Sequence, residues 1–317
     1  MKKVNYWMRY ATRLVAVTLL LSAAGCKNDD DDVAPQSVSD ILMENNNFSI
    51  LRAAVDHAGM TETLRTGNVT VFAPNDDAFR ASGYANAAAI TAVPANTVRD
   101  ILQYHIINSR KASTDLAQGN NQEMMTLGNG TTYVTRNSSG VSINGARVIT
   151  ADVQADNGVI HVIDRVLMPP TQNLMQLAQN NNNLSYLLAA ATRAASTNPA
   201  VMTALSSSTM AYTVFAPSNQ AFIDAGYPTV ASIQAASPAT LAGIIMYHVV
   251  PGRVFSTNLA NGNVTTAANA PFAVDISNGV KITGSGNKGQ AATVTQANMM
   301  ATNGIVHIID RVLMPAN

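Results

Sequence analysis

The sequence predicts an α+β fold built twice over: two tandem domains, each mixing helices with a largely antiparallel sheet. Three observations carry this. NGVIHVIDRVLMP at residues 157 to 169 returns as NGIVHIIDRVLMP at 303 to 315, altered only by exchanges of Val and Ile. Helical and strand-like spacings are mixed within each copy, without a regular βαβ alternation. Of 317 residues, 47% are hydrophobic and 12% charged, enough to bury two cores.

The copies run over residues 36–170 and 171–317, with almost no linker. VTVFAPNDDAF at 69–79 answers to YTVFAPSNQAF at 212–222, ILQYHII at 101–107 to IIMYHVV at 244–250, and STDLAQGN at 113–120 to STNLANGN at 256–263. A repeat this long is a duplicated domain, since solenoid units are about 20–50 residues. Each copy opens with helical text. Phe48, Leu51 and Val55, like Leu184, Leu187 and Ala191, recur at helical spacing, and Gly59 is a stop signal. VTVF and YTVF then read as short strands ended by Pro74 and Pro217, with Asn75 and Ser218 placed to cap the helices that follow.

The next helix carries a histidine in each copy. Val98, Ile101, Leu102 and His105 fall at i, i+3, i+4 and i+7, and Leu241, Ile244, Ile245 and His248 repeat the spacing. Thr97 and Ser237 are the N-cap candidates, and Pro238 sits where the first turn tolerates it. Both histidines therefore belong on the buried face, where the ring must be hydrogen-bonded. Both also stand at a helix C-terminus, where the dipole favours a protonated ring. Turn-punctuated strands such as TYVT, VSING and FAVDI lead to the closing strand. Alternation there puts Val159, His161 and Ile163 on one face, and Ile160, Val162 and Asp164 on the other. His161 and His307 read as core residues with one internal hydrogen bond each. Asp164 with Arg165, and Asp310 with Arg311, are expected to pair locally at the strand end.

Residues 1–25 read as a lipoprotein signal peptide. Lys2, Lys3, Arg9 and Arg13 stand there without an acid, the apolar run from Leu14 to Leu21 is too short to cross a bilayer, and small residues precede Cys26. SAAGC resembles a lipobox, with Ala23 where Leu is usual. Cys26, the only Cys, is the predicted lipid attachment point, and several acyl chains on it would anchor the chain to the membrane stably. KNDDDD, within the tether 26–35, resembles the surface-export signal of Bacteroidetes lipoproteins. The expected location is the outer membrane, exposed on the cell surface.

Composition and motifs exclude several functions. Beyond residue 25 the chain holds 15 basic and 19 acidic side chains with no basic stripe, so nucleic acid is not an expected partner. The two repeated His of each copy, without Cys or clustered carboxylates, make no metal site, and no cofactor is expected. Gly284, Gly286 and Gly289 spell G-x-G-x-x-G, but strand-like QAATVTQ follows in place of the helix that would hold a phosphate. Ser285 and Lys288 spell S-x-x-K inside the same loop, with no helix to set one against the other. Nothing pairs a nucleophile with a base, so no enzyme is expected.

TVFAPNDDAF, YHII with YHVV, and NGVIHVIDRVLMP resemble the two signature boxes and the intervening Tyr-His of fasciclin (FAS1) domains, over nearly all of the mature chain. The resemblance implies a wedge-like β-sandwich flanked by helices in each copy, and a role in cell adhesion or extracellular matrix contact. In some family members the Tyr-His region has been proposed to contact integrins, which points to Tyr104, His105, Tyr247 and His248. Helical spacing turns both histidines inward, so these residues are carried as structural. The expected function is a lipid-anchored surface protein that binds an extracellular protein or glycan. One alternative is a glycan-binding accessory of a nutrient uptake system. The sequence leans against it, since its only Trp is Trp7 and aromatics are 5%. The other is a non-binding envelope spacer.

Overall fold

The same punctuation recurs in each copy, and each copy folds to the same element order. The computed structural model describes residues 36–316, so the signal peptide, Cys26 and the acidic tether lie outside the described residues. Ser37 and Asp40 form a capping box on the helix Val38–Glu44. Gly59, at φ +65°, closes the helix Ser49–Ala58 in the left-handed conformation that suits glycine. Asn75 and Ser218 cap Asp76–Ala81 and Asn219–Asp224, each accepting the amide three residues on. One cap departs from expectation. The helix carrying His105 is Ala95–Tyr104 with Pro94 at its N-cap, so Thr97 lies inside it, whereas Ser237 does cap Pro238–Tyr247.

In the first copy, β1 (Val69–Pro74), β2 (Ile106–Ile107), β3 (Gly119–Met125), β4 (Thr131–Asn137), β5 (Gly140–Ile143), β6 (Ala146–Ala155) and β7 (Gly158–Ile163) form one sheet in the order β2-β1-β7-β6-β5-β4-β3. Every pairing is antiparallel except β1 with β7, which sets Phe72 beside His161. The second copy repeats the plan with β8 (Tyr212–Pro217), β9 (Val249–Pro251), β10 (Gly262–Thr265), β11 (Pro271–Asp275), β12 (Lys281–Gly284), β13 (Ala292–Ala301) and β14 (Gly304–Ile309).

Two register shifts interrupt each of β6 and β13, and such bulges bend a strand. Each sheet thereby folds over a core of its own. In the first copy Phe72, Tyr104, Val134, Ile143 and Ile163 meet inside it. Helices cover the other face through Leu51, Val55, Phe79 and Leu102, clustered with Ile160 of β7. The Leu127 amide, just past β3, donates to the Ile106 carbonyl of β2 at 2.7 Å, and Ala267 does the same to Val249, drawing the two ends of each sheet together. The result is an α+β architecture in both copies, a sheet layered on itself with helices along one side. β1 and β7 are covered on both faces, which is why VTVFAP and GVIHVI are almost continuous apolar runs.

Candidate functional site

Each Tyr-His pair sits where its helix runs into the sheet, and both side chains are buried. His105 Nδ1 lies 2.7 Å from the Ile101 carbonyl one helical turn back, and the Leu167 amide donates to Nε2 at 2.8 Å. An amide can only donate, so Nε2 is the acceptor and Nδ1 carries the proton. His248 repeats this with Ile244 at 2.8 Å and Leu313 at 2.8 Å. Each ring thus joins the end of its helix to the VLMP segment that follows the closing strand. Burial pushes both rings down to about 4, against the pull of the helix carbonyls. The dipole's preference for a protonated ring therefore does not prevail. A helix C-terminus is worth about 0.3–1 kcal/mol to a cation, and burial of the charge outweighs it. Tyr104 donates to the Thr131 carbonyl at 2.8 Å and accepts from Asn144 at 3.0 Å, while burial raises its hydroxyl to about 12. Tyr247 donates to the Pro271 carbonyl at 2.6 Å.

His161 and His307 use the opposite tautomer. The amides of Asp152 and Asn298 approach Nδ1 at 3.3 Å in each domain, so Nε2 donates, to Lys111 at 3.0 Å and to Val254 at 2.8 Å. Each ring therefore makes two hydrogen bonds, not one. Each also packs against the Phe beside it in the parallel pair, at 5.3 Å for Phe72 and 5.1 Å for Phe215. Burial pushes His307 down to about 4; His161 is lowered by burial too, opposed by the Lys111 carbonyl and the Asp152 charge.

The closing Asp residues do not pair with the Arg beside them. Asp164 accepts the Arg147 amide at 2.8 Å and Asp310 the Thr293 amide at 2.7 Å, so both clasp the neighbouring strand, β6 or β13. A carboxylate facing a backbone amide makes a charge-assisted bond without the entropy of holding a long side chain. The glycine loop at 284–289 is also a clasp. The Gly286 amide donates to Met314, Ser285 meets the Tyr247 hydroxyl, and Asn287 bonds both Val312 and Met314. A Cβ on Gly286 would stand 2.2 Å from the Pro315 carbonyl oxygen, so glycine is needed there for close approach. Among the described residues no three His, Cys, Asp or Glu side chains converge as a metal site, and no helix is long and apolar enough to cross a membrane.

The sequence reading missed the face where the two domains meet. Phe255, fully buried, lies 6.1 Å from the Tyr133 ring, and the Arg253 guanidinium sits 4.7 Å over that same ring. Polar contacts surround this anchor. Asn121 donates to the Arg253 carbonyl, Asn258 to Thr135 at 2.8 Å, Ser142 to Thr257 at 3.0 Å and Asn298 to the Gly145 carbonyl at 3.3 Å. A Cβ on Gly145 would come within 2.3 Å of Asn298, and its φ is +78°, so the turn is shaped for this contact. A signal for this face existed in the text. Ala112, Asp115 and Asp152 of the first copy become Phe255, Asn258 and Asn298 in the second, a difference between the copies and not a likeness.

The Fasciclin domain matches this chain twice, over residues 46–169 and 182–315. The Transforming growth factor-beta-induced protein ig-h3 of Sus scrofa is 27% identical over 265 residues, 80% of this chain and 36% of that protein. Periostin of Homo sapiens is 28% identical over 250 residues, 78% of this chain and 28% of that protein. The chain thus spans about a third of the length of these two relatives. Protein sll1483 of Synechocystis sp. is 35% identical over 184 residues, 51% of this chain and 99% of that protein. Among solved structures, a FAS1 domain pair from the insect cell adhesion molecule Fasciclin I is similar at a TM-score of 0.42 and 20% identity, over 84% of this chain and 97% of that one.

Proposed function

The chain belongs to the fasciclin family, with two tandem FAS1 domains, and from that premise we propose that it is a lipid-anchored cell-surface protein whose domain pair binds an extracellular partner in adhesion or matrix contact. One observation carries the choice of a binding module over an enzyme. In both copies the buried histidines hold their protons in fixed tautomers and spend both ring nitrogens on backbone groups. A ring so engaged has no lone pair for a substrate proton, and its lowered affinity for protons takes it away from neutral-pH acid–base work. Contact through the surface is what remains for the domain pair. The anchor is Cys26, on the sequence features already described, and the partner is an extracellular protein or glycan.

The test uses cells carrying the full chain. Cys26→Ser should move the protein from the membrane fraction to the soluble fraction; a variant retained in membranes would refute the lipid anchor. Cells displaying the unmutated protein should bind saturably to one class in a panel of immobilised matrix proteins and glycans, and silence across the panel would end the adhesion reading in favour of a spacer.

A further inference from the structure

A cleft of about 470 Å³ opens along the domain junction, within the size range of ligand sites, which favour domain interfaces. It continues the junction already described, because Ser142 and Thr257, bonded across it at 3.0 Å, both line it. Arg147 and Ile149 form part of one wall, from β6, and Ile276 and Val280 part of the other, from the second domain.

Three features of these walls point to a ligand. β5 and β6 pair only at Ile143 with Ala146 and Ser142 with Arg147. Beyond that, β5 stays with β4 as far as Gly140 and β6 runs on beside β7, so the two strands part here and both line the cleft. Ile149 is the residue left over at the first bulge of β6, between Val148 opposite Ile163 and Thr150 opposite Val162. It is 53% exposed, and Ile276, lining the same cleft, is 42% exposed. Large apolar side chains set in the open around one groove mark a contact site. Arg147 is the only charged side chain lining the cleft, and its guanidinium makes no ion pair among the described residues.

The second copy sharpens this. Its strand β13 matches β6 at Ala292, Val294 and Ala301, yet carries Thr293 and Thr295 where β6 has Arg147 and Ile149. Thr295 turns its hydroxyl back to the Ile308 carbonyl at 3.3 Å. The free cation and the exposed isoleucine thus belong to the copy whose strand lines the junction cleft.

We propose that this cleft binds an extended peptide segment of a partner protein that bears an acidic side chain or its C-terminal carboxylate. The carboxylate lies on Arg147, apolar side chains lie on Ile149, Ile276 and Val280, and the backbone runs along the parted strands in the manner of strand addition. This rests on the adhesion reading, of which it names the face and the class of partner.

The probe is a fluorescein-labelled peptide, Val-Thr-Val-Thr-Val-Glu with a free C-terminus, titrated by anisotropy against the full chain in detergent. Binding should saturate, and Arg147→Ala should weaken it by about tenfold or more, as loss of a charged hydrogen bond does. Replacing the peptide's Glu by Gln and amidating its C-terminus should weaken binding to the unmutated chain by a similar factor, and binding to Arg147→Ala hardly at all. Ile149→Thr, which copies the second domain, should also weaken binding, whereas Thr295→Ile should not, all with unchanged melting. Equal binding by all variants, no binding at all, or displacement by an acidic oligosaccharide that itself depends on Arg147 would overturn the peptide cleft. Cells displaying Arg147→Ala with Ile149→Thr are run on the same matrix panel. If the peptide fails while panel binding persists, the cleft falls and the adhesion reading stands; if the unmutated protein is silent on the panel, the adhesion reading itself falls.

Discussion

At the left-handed residue of its bulged strand the first domain has Asp152, at φ +60°, and the second has Asn298, at φ +62°. Both accept the amide of a serine, Ser113 and Ser256, at 2.7 and 2.8 Å. Both offer their own amide to the buried histidine of the closing strand. The same exchange occurs at Asp115 and Asn258, which accept the amides of Ala112 and Phe255. The acid serves where the outer side of the turn is open, and the amide serves where that side lies against the other domain. An amide keeps the acceptor and adds a donor, and those donors reach Gly145 and Thr135 across the junction. Carboxylates in their place would bring uncompensated charge into a contact face. The duplicated domains diverge by the demands of what is laid on them, while the histidine locks inside stay the same.

The largest effect should show that sameness. His105→Ala and His248→Ala each strand a buried carbonyl and a buried amide and open a cavity, so each should cost about 3–5 kcal/mol. Urea unfolding measures this, and a cost below about 1 kcal/mol in one domain alone would break the equivalence. Acid should then separate the domains. A ring at about 4 when folded and 6.5 when unfolded binds more protons unfolded, so stability falls as pH drops from 6.5 to 4 and no further below that. The loss is about 3 kcal/mol for each of His105, His248 and His307. The second domain has two such rings, whereas in the first the lowering of His161 by burial is opposed by the Lys111 carbonyl and the Asp152 charge. Calorimetry across that window should therefore find the second domain failing first, and the reverse order would contradict the electrostatic difference. The smallest effect is the exchange itself. Asn298→Asp should cost about 1–3 kcal/mol by removing the donor to Gly145 and Ser256. Asp152→Asn should cost under about 1 kcal/mol, because the open face loses only an acceptor there. Equal costs in the two thermal melts would mean the junction does not distinguish acid from amide.

Much of this was legible in the chain. Spacing alone turns Val98, Ile101, Leu102 and His105 to one side of a helix, and Ser218 and Ser237 announce the helices they cap. The internal repeat establishes two domains of one design, and its all but unchanged closing strand marks the segment with the tightest surroundings. These are local properties, set by the 3.6-residue period and by backbone groups a few residues away. The rest was decided by segments far apart in sequence. The charge state of His105 depends on how much water the fold removes, and the dipole beside it is too weak to prevail. Asp164 passes over Arg165 for an amide 17 residues away, because the sheet brings that amide to it in fixed geometry. The junction joins residues more than 100 positions apart, such as Ser142 with Thr257 and Asn298 with Gly145. Only tertiary structure could choose among the polar groups that composition makes available there, because each choice is made by distance and desolvation, and neither is a property of the chain before it folds.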